Sequence, residues 1–311
     1  MKEYYVYKAF GLIVKSEVVL PELIHASKDS KQDVTIKIGD LYGEWEQQAQ
    51  KQEQYFAITA SQILFRIPNV AIFSMKRGIE ITVSPDQNQK SIPNGLLRLY
   101  LLGTCMGAIL LQRNILPLHG SAIVFNNEAY AIVGESGAGK STLASAFMQK
   151  GCQLLSDDVI PVTLGSNGEV LVTPAYPQQK LWMESLQQFQ INYQHFTPLV
   201  ERREKYAIPV TSHFSNDVKP LVGIIELVKS GNQTVNIKPI HSLEKLQTMF
   251  SHTYRNFLLA PLGLTDWHFN ISAQILNQIT MTRLTRPIDS FTAFELSEVI
   301  FDYYEQRELV K

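Results

Sequence analysis

The sequence predicts an α/β protein, α+β overall, with a phosphate-binding core behind a β-rich N-terminal third and ahead of a helical C-terminus. Three observations predict it. Residues Gly134-Glu135-Ser136-Gly137-Ala138-Gly139-Lys140-Ser141-Thr142 fit G-x-x-x-x-G-K-[ST] between an apolar β-prone run and a helix-forming run. Residues 1–90 carry short β-branched and aromatic runs parted by polar turns. Beyond residue 241 the pattern reads as helix.

The chain of 311 residues is long enough for two ordinary domains. The polar, turn-forming stretch 84–92 is the boundary candidate. It separates a β-rich domain, 1–90, from a phosphate-binding domain, 91–311, with its core at 117–240 and C-terminal helices at 241–306. A formal net charge of −1 excludes a bulk binder of nucleic acid or membrane surface. Cys105 and Cys152 have no metal spacing and form no disulfide framework, so they read as small buried hydrophobes. Met1–Tyr5 lacks an apolar signal segment. The apolar stretch Leu99–Leu111 is about half of what a membrane span needs. The expected compartment is the cytoplasm, where nucleoside triphosphate is available.

In chain order, Tyr4–Phe10, Leu12–Val18, Val34–Ile38, Tyr55–Thr59, Gln62–Ile67, Val70–Met75 and Gly78–Val83 read as strands of an antiparallel sheet or half-barrel. The Gln/Glu run Glu44–Gln54 reads as a solvated loop or surface helix. Pro93–Leu116 is apolar nearly all round, hence a buried helix, with Pro117 as its stop. Ala122–Phe125 and Ala129–Val133 form a hairpin about Asn126-Asn127. Leu143–Lys150 is the helix after the loop, closed by Gly151. Gln153–Asp158 reads as a strand ending in two carboxylates, and Val159–Leu164 with Glu169–Thr173 as a further hairpin. The proline-rich stretch 174–220 is irregular, with short helices at Met183–Phe189 and Thr197–Arg203. Val222–Val228 and Thr234–Ile240 are strands. Ser242–Leu259, Thr265–Thr285 and Thr292–Gln306 are helices, the first and last opening on cap-like Ser242 and Thr292.

The chemistry starts at the loop. Its glycines let bare backbone N–H groups approach a phosphate chain, Lys140 sets a cation on the β/γ-phosphates, and Ser141 offers a hydroxyl to Mg²⁺. The helix that follows points its positive end at the same anion. Residues Gly134, Glu135, Ser136, Gly137, Ala138, Gly139, Lys140, Ser141 and Thr142 are therefore the expected nucleotide-binding set. Asp157 and Asp158 stand where a parallel sheet would face the nucleotide. One carboxylate can hold Mg²⁺ and the other can accept a proton from an attacking hydroxyl. His119, leading into a neighbouring strand, is a further candidate.

His119-Gly120, the loop Gly134–Ser141 and Asp157-Asp158, in that order and spacing, resemble the catalytic core of the HPr kinase/phosphorylase family. The resemblance covers roughly residues 117–175. It implies a P-loop kinase core of the HPr kinase/PEP carboxykinase type, with ATP and Mg²⁺ as cofactors. It implies that Lys140 and Ser141 bind phosphates and metal, that Asp157 accepts the proton of a substrate serine, that Asp158 assists the metal, and that His119 tunes that aspartate. Thr142 replaces the family's usual Glu, and the family's glycine-rich Arg-Asn segment is absent, which puts phosphorolysis in doubt. Tyr7–Leu12 and Tyr176–Trp182 are similar to the subgroup acting on lasso-peptide precursors, which phosphorylates a terminal serine.

Lys180, between Pro177 and Trp182, is the first choice for a charge stabiliser, ahead of Arg202, Arg203, Lys205 and Arg255. Tyr176, Trp182 and Trp267 can stack on a ligand, but read first as packing. Three activities remain open. One is a kinase for a serine hydroxyl on a peptide or small protein, which includes an HPr-type phosphocarrier. Another is a non-catalytic nucleotide-binding regulator. The third is a small-molecule or carboxykinase-like enzyme. A homo-oligomer is also left open.

Overall fold

The computed structural model describes residues 3–49, 55–86, 94–196, 198–199 and 202–308, with side chains undescribed at 49, 94, 202, 203, 307 and 308. Among these residues the strands form three sheets. The first comprises β1 (Tyr5–Ala9), β2 (Leu12–Ser16), β3 (Ile24–His25), β4 (Val34–Ile38), β5 (Phe56–Ile58), β6 (Gln62–Ile67), β7 (Ala71–Lys76) and β8 (Glu80–Pro85). Their order is β3-β1-β2-β4-β8-β7-β6-β5.

The sheet is mixed rather than antiparallel, because β2–β4 and β4–β8 run parallel. Parallel neighbours need long crossovers. The stretch between β4 and β8 supplies one, holding helix α1 (Tyr42–Ala49) and the strands β5 to β7. Within the Gln/Glu run, α1 buries Trp45 with Leu64 and Ile72. Residues 50–54 of that run and 87–93 of the boundary stretch lie outside the described residues.

One continuous helix covers this sheet. It comprises α2 (Asn94–Tyr100), a π-helical turn Leu101–Cys105, and α3 (Met106–Gln112). Leu101, Cys105 and Ile109 share a core with Phe73, Met75 and Val83. The run Gly95–Gln112 is apolar and long enough to cross a membrane by length and composition, longer than the sequence suggested, and 67% of it is buried inside the protein. The helix ends at Gln112 rather than at Pro117. Asn114 takes a left-handed φ of 56° and turns the chain out, so Leu116 and Pro117 begin the next strand.

That strand, β9 (Leu116–Phe125), is followed by β10 (Glu128–Val133), helix α4 (Lys140–Gln149), β11 (Gln153–Leu164) and β12 (Val170–Val172). Next come β13 (Gln178–Trp182), α5 (Met183–Gln188), β14 (Pro198–Leu199) and β15 (Arg202–Pro209). The chain ends with β16 (Lys219–Ser230), β17 (Asn236–Pro239), α6 (Ser242–Ser251), α7 (Thr265–Leu276), β18 (Thr280–Pro287) and α8 (Ala293–Glu308).

The central sheet has the order β10-β9-β11-β12-β16-β18-β17, and β10 also pairs with β16, so five strands close a ring. Period-two alternation sorts β10 between two cores. Tyr130 and Ile132 pack with Leu143 and Phe147 of α4 and with Leu296 and Ile300 of α8. Ala129, Ala131 and Val133 pack with Met249 of α6 and Ile275 of α7.

Three expected helices give way. Within the expected helix Thr197–Arg203, Pro198–Leu199 form β14 and Arg202 begins β15, in a small sheet with β13, while residues 197, 200 and 201 lie outside the described residues. Ser242–Leu259 stops at Ser251; Arg255 adopts φ 54°, and Asn256–Leu258 makes a single 3-10 turn. Thr265–Thr285 splits into α7 and β18, because Met281-Thr282-Arg283-Leu284 pairs parallel to β16 along its whole length. The Ser242 cap is not made, and His241 stands at that N-cap without a side-chain bond.

Candidate active site

Strand register assembles the site. Gly120 of β9 lies opposite Val133 of β10 on one side and Asp158 of β11 on the other. The last residue before the loop, the His-Gly pair and the acidic pair therefore share one level of the sheet. Gly120 has to be glycine. A Cβ there would lie 2.2 Å from the carbonyl oxygen of Ile132, closer than any real contact.

The acidic pair does not end a strand, as the sequence suggested. β11 runs on through both residues to Leu164, antiparallel to β9. Asp158 instead takes φ 82°, a left-handed conformation rare for a non-glycine residue. Successive strand residues ordinarily face opposite ways. Here both carboxylates reach Lys180: Asp157 Oδ2 accepts from its backbone N–H at 2.8 Å, and Asp158 Oδ2 meets its Nζ at 2.7 Å. Backbone strain of this kind costs about 1–3 kcal/mol and persists where surrounding structure enforces it.

Asp157 is buried and also accepts from Ser121 Oγ at 2.6 Å. Asp158 is the more open of the two, with its side chain 23% exposed. His119 Nδ1 lies 3.0 Å from the carbonyl oxygen of Asp158 and 3.5 Å from its Oδ1. A carbonyl only accepts, so Nδ1 carries the proton and Nε2 the lone pair. Burial lowers the His119 pKa, against the pull of Asp158, which keeps the ring neutral near pH 7. Burial opposes the charge of Asp158, but Lys180 and His119 outweigh it and hold the carboxyl well below the usual range. Burial likewise opposes the charge of Lys180, and Asp158 more than offsets it.

The loop itself is built as expected. Gly134, Gly137 and Gly139 all have positive φ, and Gly139 caps α4 at φ 106°. Lys140 Nζ donates to the carbonyls of Gly134 at 2.8 Å and Glu135 at 3.0 Å. Burial pushes its pKa down to about 8, against Asp157 and Asp158. Arg286 Nε donates to the carbonyl of Ala138 at 2.9 Å. Two cations thus hold the loop carbonyls, which suits a loop whose N–H groups serve an anion.

Strand β13 and helix α5 buttress α4. Gln179 Nε2 donates to the Ser141 carbonyl at 2.8 Å, Ser145 Oγ donates to Gln179 Oε1 at 2.7 Å, and Thr142 Oγ1 lies 2.9 Å from Ser185 Oγ.

These groups open on one cleft of about 880 Å³. His119, Ser136, Gly137, Gly139, Lys140, Ser141, Thr142, Asp157, Asp158 and Lys180 line it, whereas Gly134 and Ala138 are buried and the exposed Glu135 is not part of the lining. Lys180 sits on β13 rather than in a loop. Lys205, opposite Trp182 in the β13–β15 pairing, lines the cleft with its ammonium 5.6 Å from the Trp182 ring. Arg255 also lines it, donating from Nη2 to Thr104 at 3.0 Å. The side chains of Arg202 and Arg203 lie outside the described residues. Tyr176 packs edge-on against Phe10, and Trp267 packs against the cores, both away from the cleft.

Ser121, Gln179, Tyr254 and Arg286 escaped sequence reasoning. Arg286 lies just past Thr265–Thr285, which reads as helix from Met281 and Leu284 three apart, although the β-branched Thr280, Thr282 and Thr285 carry a strand signal. Tyr254, 5.7 Å from the His119 ring, is brought in by the turn after α6.

No family model matches this chain, and no curated protein does. Among solved structures it is similar to the Hpr(Ser) kinase/phosphatase from Coxiella burnetii, at 16% identity and a TM-score of 0.34, over 62% of this chain and 96% of that one. Residue roles therefore rest on the geometry of this chain.

Among the described residues no group of three His, Cys, Asp or Glu can hold a metal. Ser141 and the acidic pair offer hard oxygens only. That set fits Mg²⁺, which takes one or two carboxylates and completes its shell with phosphate oxygens and water.

Proposed function

We propose that this protein is an ATP- and Mg²⁺-dependent kinase that transfers the γ-phosphate to a serine hydroxyl of a peptide or small protein. The observation that carries the reading is the shared level of Val133, Gly120 and Asp158, with His119 beside the acid and Lys140 behind the loop. A positioned loop, a lysine, hard oxygens and a neutral imidazole supply what phosphoryl transfer asks of a protein.

The loop N–H groups and Lys140 hold the triphosphate. Mg²⁺, held by Ser141 and Asp158, would neutralise charge on the phosphate oxygens. The acceptor hydroxyl approaches from the side of His119 and Asp158. The family resemblance implies the proton on Asp157 and the metal on Asp158. Asp157 is buried and already accepts two hydrogen bonds, so we assign proton acceptance to Asp158 with His119 Nε2. Asp157, with both oxygens already accepting, positions β13 and Ser121. The depressed pKa of Asp158 makes it a weak base, which a loose transition state tolerates.

A serine at the end of a precursor peptide is the favoured acceptor, on the similarity of Tyr7–Leu12 and Tyr176–Trp182 to the lasso-peptide subgroup; a phosphocarrier protein is the alternative. The cytoplasm, where the donor is abundant, is the compartment in this reading. The test incubates the protein with Mg²⁺, labelled ATP and both acceptor classes. Transfer should fall about 10²- to 10⁴-fold in Asp158→Asn and in Lys140→Ala. Tight ATP binding with no transfer to any hydroxyl would favour the regulator instead.

A further inference from the structure

Three cations of the cleft are already engaged. Lys140 holds loop carbonyls and Lys180 answers Asp158. Arg286 donates to the carbonyls of Ala138, Pro287 and Ser290 at 2.9, 2.9 and 3.3 Å. Arg255 differs. Its Nη2 donates to Thr104 Oγ1 at 3.0 Å, its Nε is buried without a hydrogen-bond partner, and among the described residues no carboxylate pairs with it. A guanidinium carries five N–H donors and keeps its charge at any ordinary pH. Holding one half-buried and unpaired is costly, and an arriving anion offsets that cost.

The surrounding structure fixes where Arg255 stands. The segment before it lies along β9: the His119 N–H donates to the His252 carbonyl at 2.7 Å, and the Tyr254 N–H to that of Pro117 at 2.8 Å. Side chains lock the segment, with His252 Nε2 3.0 Å from Glu226 Oε1 and Thr253 Oγ1 2.8 Å from His268 Nε2. Arg255 then takes its left-handed φ of 54°, strained for a non-glycine residue, and lines the cleft. The π-helical turn Leu101–Cys105 supplies the anchor, Thr104. At Gly103 this turn runs so close that a Cβ would lie 3.1 Å from the Tyr254 hydroxyl oxygen and 3.6 Å from Asp158 Oδ2. Such π-turns recur at functional sites. The helix that covers the first sheet thus forms one wall of the site.

We infer that Arg255, presented by Thr104, is a subsite for a carboxylate that the acceptor peptide carries beside its reacting serine. The inference rests on the kinase reading above, in which the hydroxyl enters on the side of His119 and Asp158. The Tyr254 ring stands 5.7 Å from that of His119, and Arg255 follows Tyr254 in the chain. Arg255 therefore borders the acceptor, while Lys140 and the loop N–H groups serve the triphosphate. A peptide offers a carboxylate in two places, an Asp or Glu side chain and its C-terminus. The planar fork of a guanidinium pairs with either through two N–H···O bonds, which orients the neighbouring serine as well as holding it. Lys180 already answers Asp158, which limits the repulsion a second carboxylate meets there.

The experiment gives the full-length protein Mg²⁺, labelled ATP and four heptapeptide mixtures, degenerate except at the serine and its neighbours. Two mixtures, blocked at both ends, hold a central serine between two Asp or between two Asn. The other two end in serine, as free acid or as amide. Wild type should prefer the charged member of at least one pair by about 10- to 100-fold in kcat/KM, the worth of a charge-assisted bond. The pair that shows it names the source of the carboxylate. In Arg255→Met the preference should vanish, and Arg255→Lys should recover only part of it, since a point charge lacks the fork. Should Arg255→Met not fold, Thr104→Val, which frees the guanidinium from its anchor, should still lower the preference about 3-fold or more. No preference in wild type within either pair would overturn the inference and leave the kinase reading intact, as would a preference that Arg255→Met retains. Transfer to none of the four mixtures would remove both.

Discussion

Lys180 Nζ stands 2.7 Å from Asp158 Oδ2, with the lysine side chain only 8% exposed. The pair exists because left-handed Asp158 turns its carboxylate to the same side as that of Asp157. A cation therefore already occupies one face of the acidic pair. The pairing explains how two adjacent carboxylates are tolerated beside a phosphate site. Breaking such a pair from one side leaves the other charge stranded. Lys180→Met should cost about 3 kcal/mol in urea unfolding, the low end for a buried pair because Asp158 keeps some water contact. Combining it with Asp158→Asn should recover most of the loss. Additive costs in the double variant would argue against the coupling.

The same pair sets an acid limit. The folded pKa of Asp158 lies below its unfolded value of about 3.9. Its contribution to stability is thus complete above about pH 4 and fades as pH falls toward the depressed folded value. Unfolding free energy measured through that window should drop more steeply in wild type than in Asp158→Asn.

At the other cation the sign reverses. Burial lowers Lys140 to about 8, so the free protein loses this charge as pH rises past that value. Phosphate binding favours the charged form, so affinity for Mg·ATP should fall above about pH 8, by at most tenfold per pH unit. Calorimetry across that range should show the decline in wild type and none in Lys140→Met.

Gly120→Ala should unfold the site from within. The added methyl meets the Ile132 backbone, which no side-chain rotation relieves. A loss of about 2–4 kcal/mol is expected, with β9 and β10 forced apart. Gly137→Ala makes the contrast. Nothing lies within 4 Å of its Cβ, and only its φ of 81° is strained. Its cost should be about 1 kcal/mol. Chemical denaturation of the two variants separates crowding from strain.

Arg286→Ala should leave the fold standing and loosen the loop, since the guanidinium holds the Ala138 carbonyl rather than a core contact. KM for ATP should rise about 10-fold or more, with a smaller change in Tm, because misplacing a loop by an ångström costs orders of magnitude in rate. Arg286→Lys should not restore it, since a point charge cannot reach three carbonyls together. Unchanged kinetics in Arg286→Ala would take this residue out of the site.

Much of the architecture was legible because it is local. The short strands of the first third, the Asn126-Asn127 turn and the loop between strand and helix follow from propensity and from residues that tolerate positive φ. The misreadings share a cause. β18 reads as the end of a helix and Thr197–Arg203 as a short helix, because β18 and β15 are strands through distant partners, β16 and β13, and β14 through the turn onto β15. Arg286 was lost with β18.

The phosphate loop, the glycine beside His119 and the identities of the acidic pair are legible along the chain, since short-range backbone chemistry demands those residue types. Which carboxylate is the more open, that Lys180 answers it, and that Arg286 and Thr292 stand beyond the loop follow only from the folded arrangement. Those relations are fixed by register between strands and by one left-handed residue. A period-two pattern turns over with a single-residue slip, so no reading of neighbours along the chain can supply them.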